Sequence, residues 1–334
     1  MMNCRYDKAA AVGLSVKNAG KNSGSIGYDF ELIDYNRVGR GKMMKPGNMD
    51  AATVEGFGKE WSRFSQEVLT DRERAQVFAK YFSLIDWAKK PQKVLDMGCG
   101  SGRWDVLVAP LVGGLVAADA SAEALSVAKR NVRAPNVTFV ECSPETLPFP
   151  DGYFDFIFSL GVLHHLPDTH TAIRSLACKL APGGTLLLYL YYAFDNRPAW
   201  FRGIWRISDL FRRCISRLPF SLRYTVSQVI ALSVYWPLAR TAKYFPVPDS
   251  WPLKFYADRS FYFMRTDALD RFGTKLEKRF TKQRIILMLK AARLEDIRFS
   301  NSDPFWVCAA SKPLRSASTP NEGAGDSGTE KNRF

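Results

Sequence analysis

Val94-Leu95-Asp96-Met97-Gly98-Cys99-Gly100-Ser101-Gly102 decides how this chain folds. Its apolar start reads as a strand, and Arg103-Trp104-Asp105-Val106-Leu107-Val108, which follows, reads as the start of a helix. A strand, a glycine loop and a helix in that order make the first half of a nucleotide-binding βαβ unit. Glycines there remove side chains, so a ligand can lie against bare backbone N–H groups. Asp96, just ahead of them, would repel a pyrophosphate and suits a ligand with a positive end.

The spacing narrows the reading. A dinucleotide loop runs G-x-G-x-x-G, but here the third glycine is Gly102 and Arg103 holds the dinucleotide position. What remains, D-x-G-x-G-x-G, resembles motif I of the class I S-adenosylmethionine (SAM) methyltransferases. That resemblance implies SAM as cofactor, with Asp96 near the methionine amino group and Gly98, Cys99, Gly100 and Gly102 beneath the methionine and ribose. It also implies the fold: α/β, a Rossmann-like doubly wound seven-stranded sheet of order 3-2-1-4-5-7-6, with strand seven antiparallel.

The segments downstream keep that order. Leu115-Val116-Ala117-Ala118 reads as strand two, ending at Asp119-Ala120. Asp119 has two readings, a carboxylate for both ribose hydroxyls or the N-cap of a helix over Ser121 to Arg133. Val137-Thr138-Phe139-Val140 reads as strand three. The segment Cys142-Ser143-Pro144-Glu145-Thr146-Leu147-Pro148-Phe149 resembles the family's D-A-E-x-L-P-F adenine loop, with Ser143 where an Asp normally stands. The resemblance therefore places Ser143, Pro144 and Glu145 at the adenine, with Glu145 as the alternative acceptor. Phe154 to Ser159 reads as strand four, and Ser159-Leu160 completes the implied cofactor contacts. Ala181-Pro182-Gly183-Gly184 reads as a turn before strand five, Thr185 to Tyr189. The resemblance is closest to the small-molecule branch with the ubiquinone and menaquinone methyltransferases and many glycan- and lipid-tailoring enzymes.

Upstream, Phe57-Gly58-Lys59-Glu60-Trp61-Ser62-Arg63-Phe64 resembles an F-G-x-E-W-x-x-F segment that helps cover the cofactor pocket in some bacterial SAM methyltransferases. On that resemblance Trp61 is a cofactor contact; its other reading is an aromatic anchor on the core.

The 334 residues suffice for one large domain with an insertion, or two modest ones. The expected organisation is an irregular arm over 1–55, a SAM-binding core over 56–192, a basic, aromatic-rich helical insertion over 193–262, completion of the core over 263–312, and a disordered tail over 313–334. Within these, Asp71 to Lys89 and Thr281 to Arg293 read as helices, Asp296 to Ser300 as strand six and Phe305 to Ala310 as strand seven. Six scattered cysteines without a C-x-x-C pair suggest neither a zinc site nor a disulfide framework, so no metal is expected. No leader pattern and no spanning run is seen, and a cytoplasmic setting is the simplest expectation.

The net charge of +14 is concentrated informatively. On a wheel of Ala199 to Leu218, Trp200, Phe201, Ile204, Ile207, Phe211, Ile215 and Leu218 share one face, with Arg202, Arg206, Arg213 and Arg217 opposite and Asp209 the only acid. Such a helix either lies on an anionic membrane surface, peripheral at its inner face, or packs its apolar face on the core and shows its arginines to water. Nucleic acid is the less favoured partner, since no RNP-like, zinc-knuckle or N-P-P-Y-type segment is present.

The expected activity is methyl transfer from SAM to a small-molecule or lipid-linked acceptor, at oxygen or carbon. The alternatives are an RNA or protein methyltransferase using the basic insertion, and a SAM-binding scaffold without catalysis. His164 and His165, directly after strand four, are the candidate bases; Asp168 reads as the N-cap of the next helix. Glu60, Trp61, Tyr191, Tyr192, Asp195 and Arg197 are further candidates to face the acceptor.

Overall fold

Alternation along the central strands sets the architecture. In a computed structural model, which describes residues 48–64 and 71–314, β1 (Lys93–Met97), β2 (Gly114–Asp119), β3 (Val137–Glu141), β4 (Phe154–Leu160) and β5 (Leu180–Tyr189) run parallel. β6 (Glu295–Phe299) and β7 (Val307–Ser311) close the sheet in the order β3-β2-β1-β4-β5-β7-β6, with β7 antiparallel to both neighbours. Successive side chains point to opposite faces. Leu95, Met97, Ile157, Leu186 and Leu188 join one buried cluster, while Val94, Phe156, Phe158 and Leu187 join the other. Both faces are covered, as parallel sheets require, and the strands are accordingly almost wholly apolar.

The helices that cover them are α1 (Ala51–Arg63), α2 (Asp71–Tyr81), α3 (Asp105–Val108), α4 (Ala122–Asn131), α5 (Thr169–Lys179), α6 (Ala199–Ile215), α7 (Phe220–Ile230), α8 (Trp236–Tyr244), α9 (Phe261–Gly273) and α10 (Lys282–Ala291). Most of the arm, 1–47, and all of the tail beyond residue 314 lie outside the described residues, but α1 already begins at Ala51, where Asp50 accepts from the Ala52 N–H. Asp168 caps α5 as expected, accepting from His170 and Thr171 N–H.

Four local readings need correction. The N-cap of α4 is Ser121, whose hydroxyl accepts from Ala124 N–H, and not Asp119. Helix α2 ends at Tyr81, and Trp87–Lys89 forms a separate 3₁₀ turn capped by Asp86. The helix after the glycine loop is only one turn long and passes into a 3₁₀ turn at Pro110, which has no N–H to continue it. Residues 181–184 bulge within β5, so the pairing jumps from Phe154↔Leu180 to Phe156↔Thr185.

Helices α6 to α9 form a cap between β5 and α10. Its own core gathers Ile215, Ala231, Tyr235, Ala239, Met264, Ala268 and Phe272 from α6, α8, α9 and a π turn at Ala231–Tyr235. That turn precedes Pro237, which cannot donate to the preceding turn. Helix α6 packs unlike its wheel suggests. Asp209, Arg212 and Ile215 are its buried residues, whereas Ile204, Ile207, Leu210 and Phe211 are 51–63% exposed. Of the face named from the wheel, Ile215 and Leu218 pack on the cap core while Ile204, Ile207 and Phe211 stay exposed. About half buried as they are, these exposed side chains each forgo roughly 1–2 kcal/mol by not being buried completely.

Candidate active site

The three motif glycines sit at positive φ: 88° at Gly98, 55° at Gly100 and 74° at Gly102. Above Gly100 lies the Trp61 indole, so close that an added Cβ would stand 2.8 Å from its Nε1. The loop is held by Asp119, whose Oδ2 accepts from Gly100 N–H and whose Oδ1 accepts from Ser121 N–H, both at 2.9 Å. Its neighbour Ala120 is half-buried.

Asp96, 1% exposed, keeps Oδ2 without a hydrogen-bond partner among the described residues, and neither carboxyl oxygen of Asp105, fully buried beside it, has one. Burial, together with the charges of Asp105 and Asp119, holds Asp96 well above the usual carboxylate range. Burial pushes Asp105 up to about 7. Two adjacent buried acids of this kind make a place for a cation. Burial also pushes the Cys99 thiol well up, which leaves it an apolar filler of the loop.

At the expected adenine loop, Ser143 is buried, donating its N–H to Thr146 Oγ1 at 2.9 Å with its hydroxyl 3.1 Å from the same atom. Glu145 Oε1 accepts from Asn48 Nδ2 at 2.8 Å, and its Oε2 is buried without a partner among the described residues. Pro144 is buried beside them. Ser159 donates to Met97 O at 2.7 Å and so ties β4 to β1.

A cavity of about 790 Å³ opens along the carboxyl edge of β4 and β5 under the cap. Trp61, Arg103, Leu160 and Gly161 form the wall nearest the glycine loop. Its floor carries Glu60, Tyr191, Asp267 and Asp270; its flanks are Tyr81, Tyr189, Phe194, Trp205 and Phe263; its outer wall is Ile204, Ile207, Phe211, Val226, Ile230 and Val234. Burial raises all three floor carboxyls, Asp267 to about 7. Tyr256 donates to Asp267 at 2.8 Å. Tyr191 donates to Asp270 Oδ2, and the other Asp270 oxygen lies 3.9 Å from His165 Nε2.

The histidines stand behind this floor. His165 Nδ1 lies 2.7 Å from Leu276 O, which can only accept, so Nδ1 carries the proton and Nε2 faces Asp270. His164 is fully buried with its ring stacked 3.8 Å from Tyr191, and burial holds its pKa well below the usual imidazole value. Neither ring lines the cavity. Tyr192 and Arg197 do line it, but Asp195 is occupied by Trp306 Nε1 at 2.9 Å and Lys282 N–H at 3.0 Å. Sequence reasoning missed Tyr81, Asp267, Asp270 and Arg279. The only signal for the acids was their spacing of three, which puts both on one side of a helix.

Residues 95–188 match the family described as "Methyltransferase domain". That stretch is therefore similar to a methyltransferase domain. The chain is 36% identical over 107 residues to the uncharacterized methyltransferase YcgJ of Bacillus subtilis, covering 31% of this chain and 42% of that protein. It is 34% identical over 116 residues to the ubiquinone/menaquinone biosynthesis C-methyltransferase UbiE of Shewanella oneidensis, covering 33% and 46%. The methyltransferase domain thus spans less than half of the curated relatives it matches. A SAM-dependent methyltransferase structure from Methanosarcina mazei is similar at 19% identity and a TM-score of 0.41, over 67% of this chain and 93% of that one.

The methyltransferase resemblance implies SAM as cofactor, and the residues present fit it. The partnerless Asp96 oxygen suits an ammonium, and Asp119 ends β2 and the Ser143–Glu145 loop follows β3 at the places where the resemblance puts ribose and adenine, with the Trp61 indole resting against Gly100.

Proposed function

We propose that this methyltransferase methylates a hydroxyl of an amphiphilic, lipid-linked or similarly apolar small molecule. One observation carries the reading: a long cavity with aromatic and aliphatic walls ends on a floor of carboxylates beside the glycine loop. Apolar walls take an apolar body, and the few convergent polar groups orient its reacting end. SAM, when bound, supplies a methyl group on a positively charged sulfur, which needs little activation.

The protein's remaining tasks are to align the acceptor and to remove its proton. Alignment alone is worth roughly 7–11 kcal/mol in favourable cases. The aromatic walls and Arg279, whose guanidinium lies 4.9 Å from the Tyr191 ring, restrict how an acceptor enters. The Asp267–Asp270 pair takes the hydroxyl proton, because burial tunes these carboxyls toward neutral pH, where a base works best. Tyr191 and His165 hold Asp270 from behind.

Methyl-labelled SAM incubated with the protein and a cell extract tests this. Base-stable label in the organic phase is the expected result. Label in nucleic acid or protein would overturn it, and turnover of any acceptor would exclude a non-catalytic SAM scaffold. A polynucleotide acceptor is disfavoured because Ile204, Ile207 and Phe211 edge the cavity mouth.

A further inference from the structure

The exposed apolar residues of the cap are not scattered. Ile204, Ile207 and Phe211 of α6, and Val234 of the π turn, are 43–61% exposed while also lining the cavity, so they form its rim. Beside them Leu210 on α6 and Val229 and Leu232 across the mouth are exposed without lining it. Trp200 and Trp236 stand at the starts of α6 and α8, each about half exposed. Arg202 and Arg206 on α6 and Arg217 just past its end are exposed, and Arg213, paired with Asp209, keeps 64% of its side chain in solvent. The only acid on α6, Asp209, is buried.

Apolar residues and tryptophans flanked by cations, with no exposed acid on the same helix, complement an anionic bilayer surface: apolar side chains enter the headgroup boundary while arginines meet phosphates. No described helix is long and apolar enough to cross a membrane, which suits attachment in the plane. We infer that the rim formed by α6 and the α7–α8 segment docks the protein on anionic lipid, with the cavity mouth facing the bilayer. This goes beyond the acceptor assignment and is read by vesicle partition without acceptor or turnover, so either can fail alone.

The test is flotation of the full chain with vesicles of phosphatidylcholine and with a roughly 3:1 mixture of phosphatidylcholine and phosphatidylglycerol. The expected result is partition into the mixed vesicles alone, weakened at about 0.5 M salt. Leu210→Glu combined with Leu232→Glu should lower partition by at least about tenfold, with S-adenosylhomocysteine binding unchanged as proof of folding. In the unaltered chain, lipids brominated near the headgroup should quench tryptophan emission. Equal partition of variant and parent, partition indifferent to lipid charge, or no partition at all would overturn the inference. So would a stable dimer that Leu210→Glu splits while vesicle binding is absent, since the rim would then join two copies of this chain.

Discussion

In the sheet, apolar side chains go inward and acids come to the carboxyl edge; in α6 Ile204, Ile207, Leu210 and Phe211 face outward and the ion pair goes inward. Arg212 Nε donates to Asp209 Oδ1 at 2.7 Å and its Nη1 to Thr274 O at 2.9 Å. Arg271 lies 3.8 Å from the same carboxylate and 3.0 Å from Glu277, which also binds Arg279 at 2.8 Å. The sheet's sequence is thus accounted for by its own packing. The sequence of α6 is not accounted for by its packing alone, because the core beneath it selects charge; the proposed bilayer contact would account for the rest.

The sharpest way to break this contrast is at the cavity floor. Asp270→Asn should lower kcat by roughly 10²- to 10⁴-fold, with S-adenosylhomocysteine affinity unchanged by calorimetry; equal loss of both would make Asp270 part of the cofactor site. The same floor predicts a pH profile. The base must be unprotonated, so the rate should rise as pH climbs through about 7, the value to which burial pushes Asp267, and Asp267→Asn should remove that limb.

In the cap, Asp209→Ala leaves Arg212 buried and uncompensated, a loss of about 3–5 kcal/mol in denaturant unfolding. Replacing both, Asp209→Leu with Arg212→Met, should recover much of it, since a buried pair is costly to desolvate; failure to recover would show that the pair itself is the stabilising element. Burial raises Asp209 and Glu277, but the surrounding arginines outweigh it and hold both below the ordinary carboxylate range. Groups depressed in the folded state stabilise above their unfolded pKa of roughly 4 and lose that contribution as pH falls through the folded value. Thermal unfolding should therefore show the cap loosening only below about pH 4.

At the glycine loop, Gly100→Val forces a branched side chain to φ 55° and against Trp61, and S-adenosylhomocysteine binding should weaken by about a hundredfold. The smallest expected effect is a gain. Ser143→Asp restores the family's usual acceptor at the adenine loop and should tighten binding by about 1 kcal/mol; no change would mean that Glu145 already serves.

The strand order was legible because each strand is a short apolar run closed by a turn or an acid, and the spacing along residues 93–191 leaves little freedom. The loop residues Asp96, Gly98, Gly100 and Asp119 come together for the same reason. Asp267 and Asp270 were not legible, because only the return of α9 across the edge of β4 and β5 brings them to the floor. His164 and His165 looked catalytic from their place after β4, yet their rings turn behind Tyr191 and Asp270. A helical wheel shows that α6 has two faces, but not which of them meets the protein; that depends on Arg271, Glu277 and Thr274, more than fifty residues away in sequence.

Gly58 has a consequence for timing. An added Cβ there would stand 2.7 Å from Ser121 Oγ, so only a bare backbone lets α1 lie down on the start of α4. Lying there, α1 holds Trp61 over Gly100 and Phe57 against His165, with ring centres 4.9 Å apart. Seated there, the helix covers the glycine loop. A single methyl group on residue 58 should unseat the helix, speeding exchange of the cofactor while loosening the grip on it, as stopped-flow binding of S-adenosylhomocysteine would read.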